Sequence, residues 1–179
     1  MTEEQVILVD QEDNVLGTME KLEAHHKGVL HRAFSVFVFN AKGELMLHQR
    51  AASKYHSPNL WTNTCCSHPR PGEALENAAH RRLQEEMGFD CPLNYGFNFI
   101  YYKEVGELIE HELDHVWLGY FEGEPKLNPD EVRDWKWMSL EGIQNDMDAH
   151  PDQYTEWFKI CFEEVTKRIG EVPVPEPMQ

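Results

Sequence analysis

Basic residues are scarce in this chain: 16 Lys and Arg stand against 32 Asp and Glu, a formal net charge of -16. Such a field repels nucleic acid and anionic membranes, which sets aside readers of either. An anionic substrate would be repelled too unless a local basic cluster or bound cations reverse the field, so any convergence of Lys and Arg matters. Cysteine is sparse as well. Cys65, Cys66, Cys91 and Cys161 form no CxxC pair, and neighbours Cys65 and Cys66 are poorly placed to bridge each other. Disulfide scaffolding is therefore not expected, and Cys91 and Cys161 read as buried thiols. No stretch approaches the uninterrupted apolar length of a membrane span. Residues 1–5 are acidic and lack the basic and apolar regions of a secretory signal, so a cytoplasmic protein is expected. Internal repeats and interdomain linkers are lacking too.

What is present suffices for one core: 179 residues with 41% hydrophobic content. A single domain is expected over residues 1–169, followed by a Pro-rich tail at 170–179. β-branched and aromatic runs bounded by turn residues predict strands at 6–9, 15–19, 30–39, 44–49, 61–64, 97–103, 112–121 and 133–138. Leu75, Ala79, Leu83 and Met87 recur every four residues and predict a helix over 73–87, stopped by Gly88. Two further helices are expected at 140–146 and 152–169. The implied architecture is a mixed β-sheet flanked by helices, an α+β or α/β sandwich.

Three sets of metal-capable side chains stand out: His25 or His26 with His31, Cys66-Ser67-His68, and Glu110-His111-Glu112. On a strand, residues two apart project to one face, so Glu110 and Glu112 can aim at one point. Alternating glutamates are more often a solvated face, and ten histidines make chance pairs. The functional reading gains from ligand types standing where neighbouring strand positions are apolar. Three imidazoles and two carboxylates would suit Zn, Mn or Fe.

The segment 61–72 (WTNTCCSHPRPG) resembles the cysteine-bearing signature of type I isopentenyl diphosphate isomerases, as do Leu30-His-Arg-Ala-Phe-Ser35 and Glu110-His-Glu112. These motifs occur in the family's order over roughly residues 5–160. The resemblance implies the Nudix fold, whose signature can be laid on the chain from Gly88. Ser67, Glu73, Arg81, Arg82, Leu83, Glu85, Glu86, Gly88 and Phe89 fall on its fixed positions. Two depart from it: Ser67 replaces the first Gly, and Arg82 replaces the Glu after Arg81. Hydrolytic relatives use carboxylates on this helix to hold metal ions and activate water. A cation among them disfavours hydrolysis, while a diphosphate held through one metal stays compatible. For Arg82 the plain alternative is an i, i+4 salt bridge to Glu86, worth some tenths of a kcal/mol when exposed.

The activity implied by the resemblance is interconversion of isopentenyl and dimethylallyl diphosphate through a tertiary carbocation. A Nudix-type nucleoside diphosphate hydrolase and a non-catalytic zinc-binding module are the alternatives. By resemblance, Cys66 and Glu112 form the acid/base pair, Tyr102 hydrogen-bonds near Glu112, and Trp157 faces the cation. Ordinary helix packing is the other reading of Trp157. His25 (preferred over adjacent His26), His31, His68, Glu110 and Glu112 would bind a first divalent metal, Mn²⁺ or Zn²⁺. A second, Mg²⁺, would join the diphosphate to Glu86 and the Cys66 carbonyl. Lys21, Arg50, Lys54 and Arg82 supply the expected basic cluster, suited to phosphate oxygens. The partner implied is thus a small isoprenyl diphosphate rather than nucleic acid or membrane; monomer and dimer are both left open.

Overall fold

The computed structural model describes residues 4–54 and 56–168. The proline-rich tail expected at 170–179 lies outside the described residues. In chain order the elements are β1 (Gln5–Val9), β2 (Val15–Glu20), α1 (Lys21–Lys27), β3 (His31–Phe39), β4 (Leu45–Arg50), β5 (Trp61–Thr62) and β6 (Cys65–Ser67). Then come α2 (Leu75–Met87), β7 (Leu93–Val105), β8 (Leu108–Tyr120), β9 (Val132–Met138), α3 (Leu140–Ala149) and α4 (Glu156–Arg168). β3 is the hub. It pairs antiparallel with β1, β4 and β6, and parallel with β8 from His31↔Glu112 to Phe39↔Tyr120. β7 extends the sheet beyond β8, while β5 and β9 pair with β4.

Strand alternation sorts the side chains into two cores. Phe34, Val36 and Val38 of β3 pack with Ala78, Ala79, Leu83 and Met87 of α2. Phe37 and Phe39 pack on the other face with Ile143 and Met147 of α3 and Phe158, Phe162 and Val165 of α4. The layers are therefore helix, mixed sheet, helix, as the sequence predicts. Among the described residues no helix is long and apolar enough to cross a membrane.

Four local features place the site. The first is α1, which the sequence does not announce: of its seven residues only Leu22 and Ala24 are apolar, too few to set a helical period. Caps hold it instead, with Glu20 accepting from the Leu22 and Glu23 N–H groups and Gly28 donating to the Ala24 carbonyl. The second is the break in the predicted strand 61–64. Asn63 donates to the Val36 and Cys65 carbonyls, and Thr64 donates to the Met46 carbonyl while accepting from Val38 N–H. Those bonds turn the chain, so that β6 starts afresh and lays Cys66 opposite Ser35. The third is the β7–β8 hairpin, closed between Val105 and Leu108 with Gly106 at φ 61; this tight turn fixes the register of both long strands. The fourth is Gly88 at the end of α2, where a Cβ would meet the Lys126 carbonyl oxygen at 2.2 Å. α2 thereby docks against the segment that leads into β9.

Candidate active site

Along β8 the residues of one face change in character. Glu110, Glu112 and Asp114 come first and are buried; Val116 and Leu118 follow on the same side and join the α3/α4 core. The polar half of that face walls a cavity of about 520 Å³, lined also by residues of α1, β3, the loop after β4, β6, α2 and α4.

At one end His25, His31, His68 and Glu112 each offer a ligand atom, all within 4.8 Å of one another. The parallel register sets His31 beside Glu112, and α1 brings in His25 while leaving His26 exposed. His25 and His31 donate their Nδ1 protons to the carbonyls of Lys21 (2.7 Å) and Val29 (2.9 Å). The Nε2 atoms of His31 and His68 lie 2.9 and 2.6 Å from Oε2 of Glu112. With Nδ1 protonated, the Nε2 lone pair of a neutral His31 faces a carboxylate oxygen. That contact needs either a second proton on His31, which burial opposes but the Glu112 carboxylate favours so that the net shift is upward, or a shared cation in the proton's place. Three imidazoles and a carboxylate form a donor set that fits a divalent metal. Burial pushes His68 down to about 4, in keeping with a neutral ligand imidazole. Burial opposes ionisation of Glu112, yet a proton presented to it by His68 or His31 holds its carboxyl well below the usual range.

Glu110 is not one of these four. Its carboxyl lies 3.1 Å from the Tyr101 hydroxyl, and burial, aided by the neighbouring Glu112 charge, pushes it up to about 8. The same Tyr101 hydroxyl donates to Oε1 of Glu112. Here the structure corrects the expectation for Tyr102. In the β7–β8 ladder Tyr101 stands opposite Glu112 and Tyr102 opposite His111, and directly opposed residues share a face. Tyr102 therefore points away from the cavity, stacks edge-on to His111 and is 55% exposed.

Cys66 lines the cavity from β6. Burial, then the nearby Glu86 charge, pushes its thiol up to about 12, so it keeps its proton at neutral pH. Trp157 presents its ring to the same cavity while its neighbour Phe158 enters the core, so packing and lining are divided between adjacent residues. The Arg50 guanidinium lies 5.0 Å from the Trp157 ring centroid.

Lys21, Arg50, Lys54 and Arg82 all line the cavity, the local basic cluster that the chain's charge demands of an anion-binding site. Acidic or carbonyl partners hold each in place: Glu4 for Lys21, the His56 and Ser57 carbonyls for Arg50, Glu131 for Lys54, and Glu86 for Arg82 at 2.5 Å. The expected Arg82–Glu86 pair is thus formed, and it is shielded rather than exposed. Oε2 of Glu86 and Nε of Arg82 are buried without a hydrogen-bond partner among the described residues. An acceptor lacking a donor beside a donor lacking an acceptor fits a cation and an anion arriving together.

Asp114, absent from the sequence reading, lies deeper. It accepts from Ser35 at 2.8 Å, and burial pushes its carboxyl up to about 8. The signal was legible as a third acidic residue continuing the Glu110, Glu112 alternation.

A NUDIX domain model matches residues 29–158, and solved structures of the same class superpose on the chain. These include a protein from Deinococcus radiodurans (TM-score 0.67, 20% identity, 82% of this chain and 90% of that one) and the MutT protein from Methanosarcina mazei (TM-score 0.65, 21% identity, 78% and 95%). The class is therefore the Nudix fold. Within it, the chain is 53% identical over 164 residues to isopentenyl-diphosphate Delta-isomerase 2 of Aromatoleum aromaticum, covering 91% of this chain and 87% of that protein. It is 56% identical over 158 residues to isopentenyl-diphosphate Delta-isomerase 2 of Photorhabdus laumondii, covering 88% and 89%. The chain belongs to the isopentenyl-diphosphate Delta-isomerase family.

Proposed function

We propose that this chain interconverts isopentenyl and dimethylallyl diphosphate in the cytoplasm, with Cys66 and Glu112 exchanging the two protons. The observation that carries the reading is that a protonated thiol and an ionised carboxylate line one cavity with a cluster of four cationic side chains. The reaction adds a proton at the terminal methylene carbon and removes one from carbon 2, passing through a tertiary cation at carbon 3. One member of the pair delivers the first proton and the other accepts the second; in the reverse direction the parts are exchanged. The Tyr101 hydroxyl donates to Glu112 and keeps its carboxylate aimed into the cavity. Trp157 offers a π face to the cation, worth about 1–2 kcal/mol when desolvated. Enclosure by α1 and α4 limits the water that would capture the intermediate.

His25, His31, His68 and Glu112, with Glu110 beside them, would hold a divalent metal such as Mn²⁺ or Zn²⁺, and Glu86 with the Cys66 carbonyl would hold Mg²⁺ against the diphosphate. Bound there, these ions would fix the ligand carboxylate and neutralise phosphate charge. Lys21, Arg50, Lys54 and Arg82 grip the diphosphate oxygens. The departure at Arg82 disfavours the hydrolytic alternative, because a cation occupies a position where Nudix hydrolysis uses a carboxylate.

The test supplies isopentenyl diphosphate and Mg²⁺ in deuterated water and follows the product by NMR. Dimethylallyl diphosphate carrying deuterium is expected, with turnover lost in Cys66→Ala. Phosphate release without olefin movement would sink the reading.

A further inference from the structure

Glu131 is not among the residues lining the cavity, yet it touches two that do. Its Oε2 lies 2.7 Å from Nζ of Lys54 and 3.7 Å from a terminal nitrogen of Arg82. The two cations come from different elements, Lys54 from the loop after β4 and Arg82 from α2. Brought together without a counter-ion, they would repel each other and splay.

The backbone around Glu131 is tied to both elements. Its carbonyl accepts from Ala51 N–H at 3.0 Å, three residues before Lys54. Its own N–H donates to the Asn128 carbonyl, and Asn128 N–H donates to the Glu86 carbonyl at 3.0 Å, one turn beyond Arg82. The carboxylate is three-quarters shielded, with 25% of its side chain exposed. Although burial opposes its ionisation, Lys54 holds it below the usual carboxylate range. The brace is therefore charged throughout the neutral range.

Resting on the isomerase reading, we propose that Glu131 is a positioning residue that brings Lys54 and Arg82 to one locus, where they grip the diphosphate of the substrate. It acts on binding and leaves the proton transfers alone, because the groups it touches, Lys54 and Arg82, belong to the cationic cluster proposed for the diphosphate and not to the Cys66–Glu112 pair. A uniform loss of ground-state and transition-state binding raises KM without lowering kcat.

The experiment compares wild type, Glu131→Gln and Glu131→Asp in the metal-loaded protein, measuring isomerisation kinetics and calorimetric affinity for inorganic pyrophosphate. In Glu131→Gln, KM and the pyrophosphate Kd are expected to rise together by about tenfold, with kcat within about twofold. Glu131→Asp keeps the charge but loses reach, and is expected to fall between. Combining Glu131→Gln with Lys54→Met should cost less than the sum of the two, since both disrupt one contact. Unchanged KM and Kd would overturn the proposal. So would tighter pyrophosphate binding, which would make the carboxylate a competitor of the ligand rather than a brace. A fall in kcat at constant KM would overturn it as well. Wild-type protein that binds pyrophosphate but does not isomerise would defeat the isomerase reading and not the brace, which the pyrophosphate affinities test separately.

Discussion

Replacing one hydroxyl separates the two neighbouring tyrosines of β7. Tyr101 donates its one hydroxyl proton to ionised Glu112, and its oxygen is placed to accept from Glu110, which burial and its neighbour's charge push up to about 8 and so keep protonated at pH 7. A hydrogen bond to a charged group contributes about 1.5–3 kcal/mol and one to a neutral group about 0.5–1.5. Tyr101→Phe should therefore destabilise the metal-free protein by about 2–4 kcal/mol, read as a lower midpoint in urea with an unchanged slope. Glu112 also loses the donor that aims it. The turnover number should drop on the order of a hundredfold, since a misplaced acid/base group forfeits most of its catalytic contribution. Tyr102 is more than half exposed and its hydroxyl is remote from Glu112, so Tyr102→Phe should stay within about 0.5 kcal/mol and retain activity. Equal losses in the two variants, or a larger loss at Tyr102, would refute the register on which this reasoning depends.

The metal cluster makes a similar contrast within α1. His25→Ala should bind less divalent metal and lose the rise in melting temperature that added metal gives wild type, whereas exposed His26→Ala should keep both, as elemental analysis and calorimetry can determine. Asp114 predicts a pH effect in metal-free protein. Its folded pKa of about 8 lies above the reference value of 3.8, so the folded state holds a proton that the unfolded chain releases. That contribution to stability is complete below about 4 and is lost as pH rises to 8, so Asp114→Asn should gain on wild type by on the order of a few kcal/mol across that window. Urea titrations at pH 5 and pH 8.5 showing a constant difference would count against it.

Much of the fold was legible because the strands of this sheet carry strong local signals. Residues 31–39 are rich in valine and phenylalanine, and Leu75 to Met87 repeat at helical spacing up to a capping glycine. α1 was not, since a seven-residue helix held by caps, with only Leu22 and Ala24 apolar, shows no hydrophobic period to betray it. The strand expected over 61–64 broke because Asn63 and Thr64 bond to backbone groups of β3, β4 and β6, and such bonds depend on the fold around them. In the candidate site the ligand types were readable from motifs, but facing was not. Tyr101 and Tyr102 differ by one position on a strand, and one position exchanges inside for outside. The count that decides between them starts at Gly106: a turn pairing Val105 with Leu108 pairs Tyr101 with Glu112 four steps back. Glu131 had no signal, because its role arises from two cations far from it in sequence.

His31 and Glu112 belong to parallel strands 81 residues apart, joined through most of the domain. Hairpins such as β7–β8 can zip locally, but a parallel pair must first close that long intervening loop. Three histidines and a carboxylate consequently become neighbours only when the sheet's central seam is made. Partly folded chains cannot assemble the full set of donors, so tight capture of a divalent metal at this cluster would report completed folding.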